Sequence, residues 1–170
     1  MADPAGFRFD LPRGPIYGWF SRSGLYALRL PTPENRFERI SVLHSSVNDH
    51  RVWALHDALE AYFAGVRTDF ADVPLDLSSG TTFQQAVWSA ARDIPWGTRI
   101  SYGELARRIS KPRAARAVGQ ALGANPVPLV VPCHRILAGN GRLGGFGCGL
   151  DWKRDLLALE GMAPVASADA

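Results

Sequence analysis

Two cysteines in 170 residues, Cys133 and Cys148, allow at most one internal disulfide. A scaffold stapled by several bridges is therefore excluded. No apolar run approaches the roughly 20 residues that cross a bilayer. The opening stretch, MADPAGFRFDLPRGP, carries acids and prolines where a secretion signal needs a basic start and then an apolar run. The expectation is a soluble, intracellular chain with no membrane partner: cytoplasmic, and nucleoid-associated in a bacterium or nuclear in a eukaryote. In a reducing compartment a thiol beside a histidine reads as chemistry rather than as a staple. His44, His50 and His56 are scattered and distant in sequence from both cysteines. No Cys/His spacing of the zinc type occurs, so no metal is expected. The glycines of 139–149 are not followed by the Lys-Ser/Thr of a phosphate-binding loop.

Hydrophobic residues make up 46% of the chain, enough for a packed core, and the length suits one ordinary domain or two small ones. The formal net charge is only +3, but it is unevenly spread. Residues 1–80 sum to −2 and residues 81–170 to +5, and the stretch 99–116 holds six basic residues against one acid, Glu104. A local basic stripe on a nearly balanced chain is the footprint of a polyanion site, with a solvated helix face as the alternative.

The first 80 residues read as a small α/β domain ending in a linker. IYGWF (16–20) and LYALRL (25–30) are β-prone runs joined by a turn-like SRSG, which predicts a hairpin. From Asp49, Val52, Trp53, Leu55, Leu59, Tyr62 and Phe63 recur at helical spacing, with Gly65 as the stop. PLDLSSG reads as an extended linker that puts the boundary near Gly80.

Residues 81–162 read as mostly helical. Thr81 or Thr82 caps a helix through Ala91, and Ser101 caps a short one through Ile109. After a break at Ser110-Lys111-Pro112, a third helix is expected from Arg113 to about Leu122, with Pro112 in its first turn. Two short helices across a tight turn fit a helix-turn-helix. The prolines at 126, 128 and 132 leave a short strand-like piece at 129–131. A last helix is expected from Asp151 to Glu160, and the tail 163–170 is expected to fray. The fold class that follows is α+β: a small α/β domain, then a helical domain bearing the helix-turn-helix and Cys133.

Cys133 stands between an apolar run and His134-Arg135. A thiol attacks as thiolate, and an adjacent imidazole promotes that form. In an extended segment neighbouring side chains point to opposite faces, so contact would run through a water. By itself, a cysteine in such a run is as readily a small buried hydrophobe.

NPVPLVVPCHR (125–135) resembles the active-site signature of the O6-alkylguanine-DNA alkyltransferases. The resemblance continues through FQQAVW (83–88), IPWG (94–97), SYG (101–103), AARAVG (114–119) and the stretch from Gly149-Leu150 to Leu-Glu160-Gly. It is weaker at YFAG (62–65) and PLDL (74–77), and covers about half the chain strongly. It implies irreversible transfer of an alkyl group from O6-alkylguanine in DNA to Cys133, with O4-alkylthymine as a further substrate and no cofactor. His134, acting through a water, would take the thiol proton, and Glu160 would orient the imidazole. Asn125 would be the hinge beside the active-site segment. Tyr102 would donate a proton to N3 of the leaving guanine. Arg116 would fill the gap left by a flipped base, and Lys111 would contact phosphate. The small residues Ala114, Ala115, Ala117 and Gly119 would let their helix enter a minor groove.

The guanine pocket would be formed by Cys133 and Ile136, through their carbonyls, together with Phe146, Gly147 and Cys148. Phe146 stands where relatives usually carry tyrosine, Gly147 where some carry serine, and Cys148 where glycine or a large residue is common; these departures bear on alkyl-group preference. The partner implied is double-stranded DNA, bound by a monomer, with cooperativity along the DNA left open. Two rival readings stand beside this one. A lesion sensor that transfers nothing would replace the acceptor cysteine. A helix-turn-helix transcription factor would leave Cys133-His134 and Glu160 without a purpose.

Overall fold

In the computed structural model, residues 5–33 and 49–162 are described; His44 and the tail expected to fray, 163–170, lie outside them. The fold is α+β, and the backbone forms two compact units. The first runs to Leu77 and takes in Pro126–Pro128, and the second holds the described residues of Ser78–Asn125 and those from Leu129 onward.

The first unit is built on an antiparallel sheet of β1 (Ala5–Leu11), β2 (Gly14–Phe20) and β3 (Leu25–Arg29), in that order. The expected hairpin is β2–β3. β1 was not anticipated from the sequence. Its signal is the alternation Phe7, Phe9, Leu11, all buried, against the exposed Arg8 and Asp10, which is the period of a half-buried strand. Helix α1 (His50–Phe63) starts on Asp49, whose side chain accepts from Arg51 N–H, and buries Val52, Leu55, Leu59 and Tyr62. Gly65, at φ +80°, follows its last turn. The start of the expected linker is held: Leu25 N donates to Pro74 O and Asp76 N to Leu25 O.

The second unit carries α2 (Thr82–Arg92), β4 (Ile100–Ser101), α3 (Tyr102–Arg108), α4 (Ala115–Gly123), a single 3₁₀ turn (Cys133–Arg135), β5 (Ile136–Leu137) and α5 (Leu150–Leu159). Thr81 and Gln84 form a reciprocal capping box on α2, and the Ser101 side chain accepts from Glu104 N to cap α3. α3 and α4 form the expected helix pair, burying Leu105 and Ala106 on one and Val118, Ala121 and Leu122 on the other. Trp88 of α2 donates its indole N–H to Ala121 O at 2.8 Å, fixing α4 from behind. The parallel pair β4–β5 matches Ile100 to Ile136 and so sets the active-site turn beside the start of α3. Among the described residues, no helix is long and apolar enough to cross a membrane.

Three local expectations are corrected. Pro112 and Arg113 lie in a turn, not in α4, which begins at Ala115; Ala114 N donates to Lys111 O and closes that turn first. Residues 129–131 are no strand, because Leu129 adopts φ +73° and sits in a turn between prolines that lack N–H donors. Cys133-His134 is not extended but wound into the 3₁₀ turn, so the two side chains need not face apart.

Candidate active site

The site begins with that turn. Cys133 is 8% exposed, and His134 and Arg135 behind it are buried. What holds two polar side chains in the core is one carboxylate. Glu160, 4% exposed and just past the end of α5, places Oε1 2.7 Å from His134 Nε2. It also accepts from Arg135 Nε and Nη2, both at 2.8 Å. Arg135 Nη1 donates to Ile94 O at 2.6 Å, and Gly97 N donates to Glu160 Oε2 at 3.3 Å. One acid thus ties the 94–97 loop, the active-site turn and the end of α5 together.

The charges follow from these contacts. Burial pushes the Glu160 carboxyl up, but hydrogen bonds from His134 and Arg135 and their charges outweigh it and bring it to about 2. Glu160 is therefore a carboxylate at neutral pH. Burial pushes His134 below its ordinary value, against the pull of Glu160, so the ring is neutral. A carboxylate can only accept, so Nε2 must carry the ring hydrogen and Nδ1, also buried, is the basic nitrogen.

Cys133 is a thiol in the resting protein, because burial raises its pKa. Several contacts oppose that rise. Asn125 Nδ2 donates to Sγ at 3.2 Å, the backbone N–H groups of Cys133 and His134 point at the sulfur, and the Lys153 ammonium acts through its charge. Asn125 also donates to Val131 O at 2.9 Å, so it pins the turn as it contacts the sulfur.

Cys133 lines a cleft of about 410 Å³, within the ordinary range of small-molecule sites. Tyr102 of α3 forms one side. Ala115, Arg116, Gly119 and Gln120 of α4 form another, and Gly145, Phe146 and Gly147 a third. Burial and the nearby Cys133 both raise the Tyr102 phenol, against a hydrogen bond with the Gly145 backbone, so it is protonated at neutral pH. Gly144 is required where the loop crosses this ring: at φ +66°, a Cβ there would fall 2.6 Å from the Tyr102 oxygen. Arg116, Lys111 and Ala117 are exposed on the α4 side, and Ala114 caps the helix, half-buried.

The structure thus brings together Cys133, His134, Glu160, Asn125, Tyr102, Arg116, Ala115, Gly119, Phe146 and Gly147. Ile136 and Cys148 are not among the lining residues. Ile136 is buried, with its carbonyl accepting from Lys153 Nζ at 2.7 Å, and Cys148 is half-buried. Both cysteines are thiols. Sequence reasoning passed over Leu122, Gly123, Gly145 and Gln120 of the lining, and the buried Arg135 and Lys153. Gln120 gave no signal. Arg135 was visible only as a letter of the signature. Lys153 did give one: it falls three and four residues before Leu156 and Leu157, on the face of α5 that packs inward. Among the described residues, one group has metal-like spacing. His56, Asp57 and Glu60 of α1 have ligand atoms within 4.8 Å, but two are exposed acids of a kind common without an ion.

Residues 82–162 match the family model described as 6-O-methylguanine DNA methyltransferase, DNA binding domain. A methylated-DNA--protein-cysteine methyltransferase of Mycobacterium bovis is 56% identical over 104 residues, which is 61% of this chain and 62% of that protein. The matched part thus spans about three-fifths of such relatives. A protein of the same name from Methanosarcina acetivorans is 52% identical over 154 residues, covering 90% of this chain and 96% of the relative. Among solved structures, Mycobacterium tuberculosis OGT in complex with DNA superposes with a TM-score of 0.74 at 40% identity, covering 92% of each chain. The Methanococcus jannaschii O6-methylguanine DNA methyltransferase gives 0.66 at 27% identity, over 96% of this chain and 98% of that one.

Glu160→Gln should cost about 3–5 kcal/mol, because it leaves the Arg135 charge buried without its counter-ion. The loss should depend on pH. Glu160 titrates near 2 when folded, below the ordinary 4.5. Its contribution is therefore complete above about 4.5 and disappears as pH falls through about 2. Urea unfolding at stepped pH checks this: the gap between wild type and variant should close on acidification. A gap that stayed constant would place the stabilisation elsewhere.

Proposed function

The chain belongs to the 6-O-methylguanine DNA methyltransferase family, and on that basis we propose that it repairs double-stranded DNA by taking the alkyl group of O6-alkylguanine onto Cys133, once per molecule. The observation that carries this reading is a thiol lining an open cleft with a phenol on one side and an exposed arginine at its rim.

The chemistry balances with the groups present. His134 Nδ1 accepts the Cys133 proton through a bridging water, while Nε2–H stays on Glu160. The thiolate attacks the alkyl carbon. The S–C bond forms as the C–O6 bond breaks, and the electron pair remains on guanine. Tyr102, protonated at neutral pH, delivers a proton to N3 of the departing base. The proton held by His134 restores the phenol. One thiol and one alkylguanine become one thioether and one guanine. No group in the cleft cleaves a thioether, so the chain is spent, and the displacement calls for no cofactor. One chain supplies every group, which favours a monomer.

The alkyl carbon lies inside a stacked duplex, so the base must be turned out to reach Sγ. The small residues Ala114, Ala115, Ala117 and Gly119 suit close approach of α4 to a minor groove, where Arg116 would occupy the vacated stack. Lys111, exposed in the turn between the helices, suits a phosphate contact. The carbonyls of Cys133 and Ile136 would accept from the guanine amine; that of Ile136 has a second lone pair beyond the one Lys153 uses. Phe146 and Gly147 would bound the alkyl group, and Cys148, outside the lining, takes no part in this reading.

Incubation with a duplex holding a single O6-methylguanine should add one methyl per chain, mapped by mass spectrometry to the peptide of Cys133. Cys133→Ser should bind the duplex and take up nothing. Methyl on any other residue would overturn the assignment. Arg116→Ala should slow repair of the duplex by on the order of tenfold while leaving reaction with free O6-benzylguanine nearly unchanged, since only the duplex requires extrusion. Equal losses on both substrates would remove the extrusion role.

A further inference from the structure

Four asparagines occur in the chain, and one of them, Asn140, is followed by glycine. Asn125 precedes Pro126, which has no N–H. Asn35 and Asn48 precede Arg36 and Asp49, whose side chains crowd their own main-chain nitrogens as glycine does not. Asn140 and Gly141 are both exposed, in the turn that follows β5.

The turn holds this asparagine in a reactive arrangement. Asn140 Oδ1 accepts from Arg142 N at 3.1 Å, the closure of an Asx turn. That bond turns the side-chain carbonyl back along the main chain past the Gly141 nitrogen. It also sets a donor where negative charge develops when that nitrogen attacks Cγ. Gly141 has φ +78° and open space where a Cβ would stand, so nothing blocks the approach. One contact opposes it: Gly141 N donates to Ala138 O at 2.9 Å. This is a single bond in an exposed turn, of the kind that opens without global unfolding.

The same turn joins two buried arms. Leu137 before it and Leu143 after it pack with Leu157, and Ala138 N donates to Arg142 O at 2.9 Å. Beyond Leu143 the chain crosses Tyr102 at Gly144 and enters the cleft lining at Gly145.

We propose that Asn140 is a site of spontaneous modification: it closes on Gly141 to a succinimide, opens to isoaspartate, and so releases the turn that seats the cleft wall. Solvent base takes the Gly141 N proton. The N–Cγ bond forms as the Cγ–Nδ2 bond breaks, and Nδ2 leaves as ammonia with a proton from water. Water then adds to one carbonyl of the ring. Opening at Cγ gives aspartate, and opening at the main-chain carbonyl of residue 140 gives isoaspartate. Nothing is oxidised or reduced. The imide nitrogen has no hydrogen for Ala138 O, and the isoaspartyl main chain is one carbon longer, so the pairing of 138 with 142 loses its register. The modification is separate from alkyl transfer and does not rest on it.

The test ages the full chain in heavy-oxygen water, at mildly acidic and mildly alkaline pH, and maps its peptides by mass. The Asn140 peptide should lose ammonia and gain one heavy oxygen, faster at the alkaline pH, while the Asn125 peptide stays unchanged. An isoaspartate-specific carboxyl methyltransferase should then label the converted peptide. The isoaspartyl fraction, separated by its added negative charge, should melt about 4 °C lower, the effect of losing two turn hydrogen bonds. Asn140→Gln, whose longer side chain cannot form the five-membered ring, should take no label. Conversion in urea but none in the folded chain would overturn the proposal, and wild type alone decides this even if the variant does not fold. An unchanged melting temperature after conversion would overturn the release of the turn. Methyl uptake from the O6-methylguanine duplex should be lost as isoaspartate forms, and uptake that outlasts conversion would remove the tie to the cleft. If fresh protein takes up no methyl, the repair reading fails, and the mass and melting readings still decide this one.

Discussion

A single buried carboxylate organises this site. Glu160 accepts from His134 and from two nitrogens of Arg135. Burying a carboxylate or a guanidinium alone would cost several kcal/mol, so neither residue could remain in the core without the other. With both present the cluster carries no net charge, and the Glu160 oxygens and Arg135 nitrogens are hydrogen-bonded. The 3₁₀ turn that begins at Cys133 is held by this cluster rather than by helix propensity, since three residues make too few backbone bonds to stand alone. The same acid reaches Gly97 N, and Arg135 reaches Ile94 O, so the path from α2 to β4 is fixed by it too.

The clamp also decides how charge is distributed at the sulfur. With Glu160 held as a carboxylate by Arg135, His134 is oriented by an acceptor and left uncharged in the core. The imidazole is then a base that receives a proton and not a cation that attracts an anion. The Lys153 ammonium, held on the Ile136 and Gly145 carbonyls, adds positive charge that favours the thiolate. Separating the two functions has a physical advantage. An imidazolium beside the sulfur would be unable to take its proton, whereas a neutral imidazole and a remote ammonium can act in the same step. Asn125 adds a neutral hydrogen bond to Sγ and, through Val131 O, keeps the turn from drifting away from α4.

Much of this was legible in the sequence, and the reasons differ residue by residue. The α3–α4 pair was readable because Ser101 is a side-chain cap and Ser110-Lys111-Pro112 a real break, both local effects. Its second helix was started too early because Pro112 is compatible with a first turn, while the Lys111–Ala114 hydrogen bond that pre-empts it cannot be seen in one dimension. The 129–131 segment was misread for a similar reason: β-branched residues suit a strand, but Leu129 adopts a left-handed φ of +73° in a turn. β1 was overlooked although its alternation is plain, because those residues were weighed only as a targeting segment. The site chemistry was visible through Cys133-His134 and the family resemblance. Its electrostatics were not, because the burial of Glu160, Arg135 and Lys153 arises from elements brought together over long separations. Lys153 on an apolar helix face was the one such residue with a sequence signal.

The neutrality of His134 is the point on which the clamp and the base both depend. It can be measured directly by long-range ¹H–¹⁵N correlation of the imidazole nitrogens in the full chain, with His134 assigned by loss of its signals in His134→Gln. Near pH 7 the ring should be the neutral Nε2–H tautomer, its hydrogen on the Glu160 side, and should stay so through the ordinary histidine value of 6.5. An imidazolium at neutral pH, or a hydrogen on Nδ1 instead, would contradict the proton path.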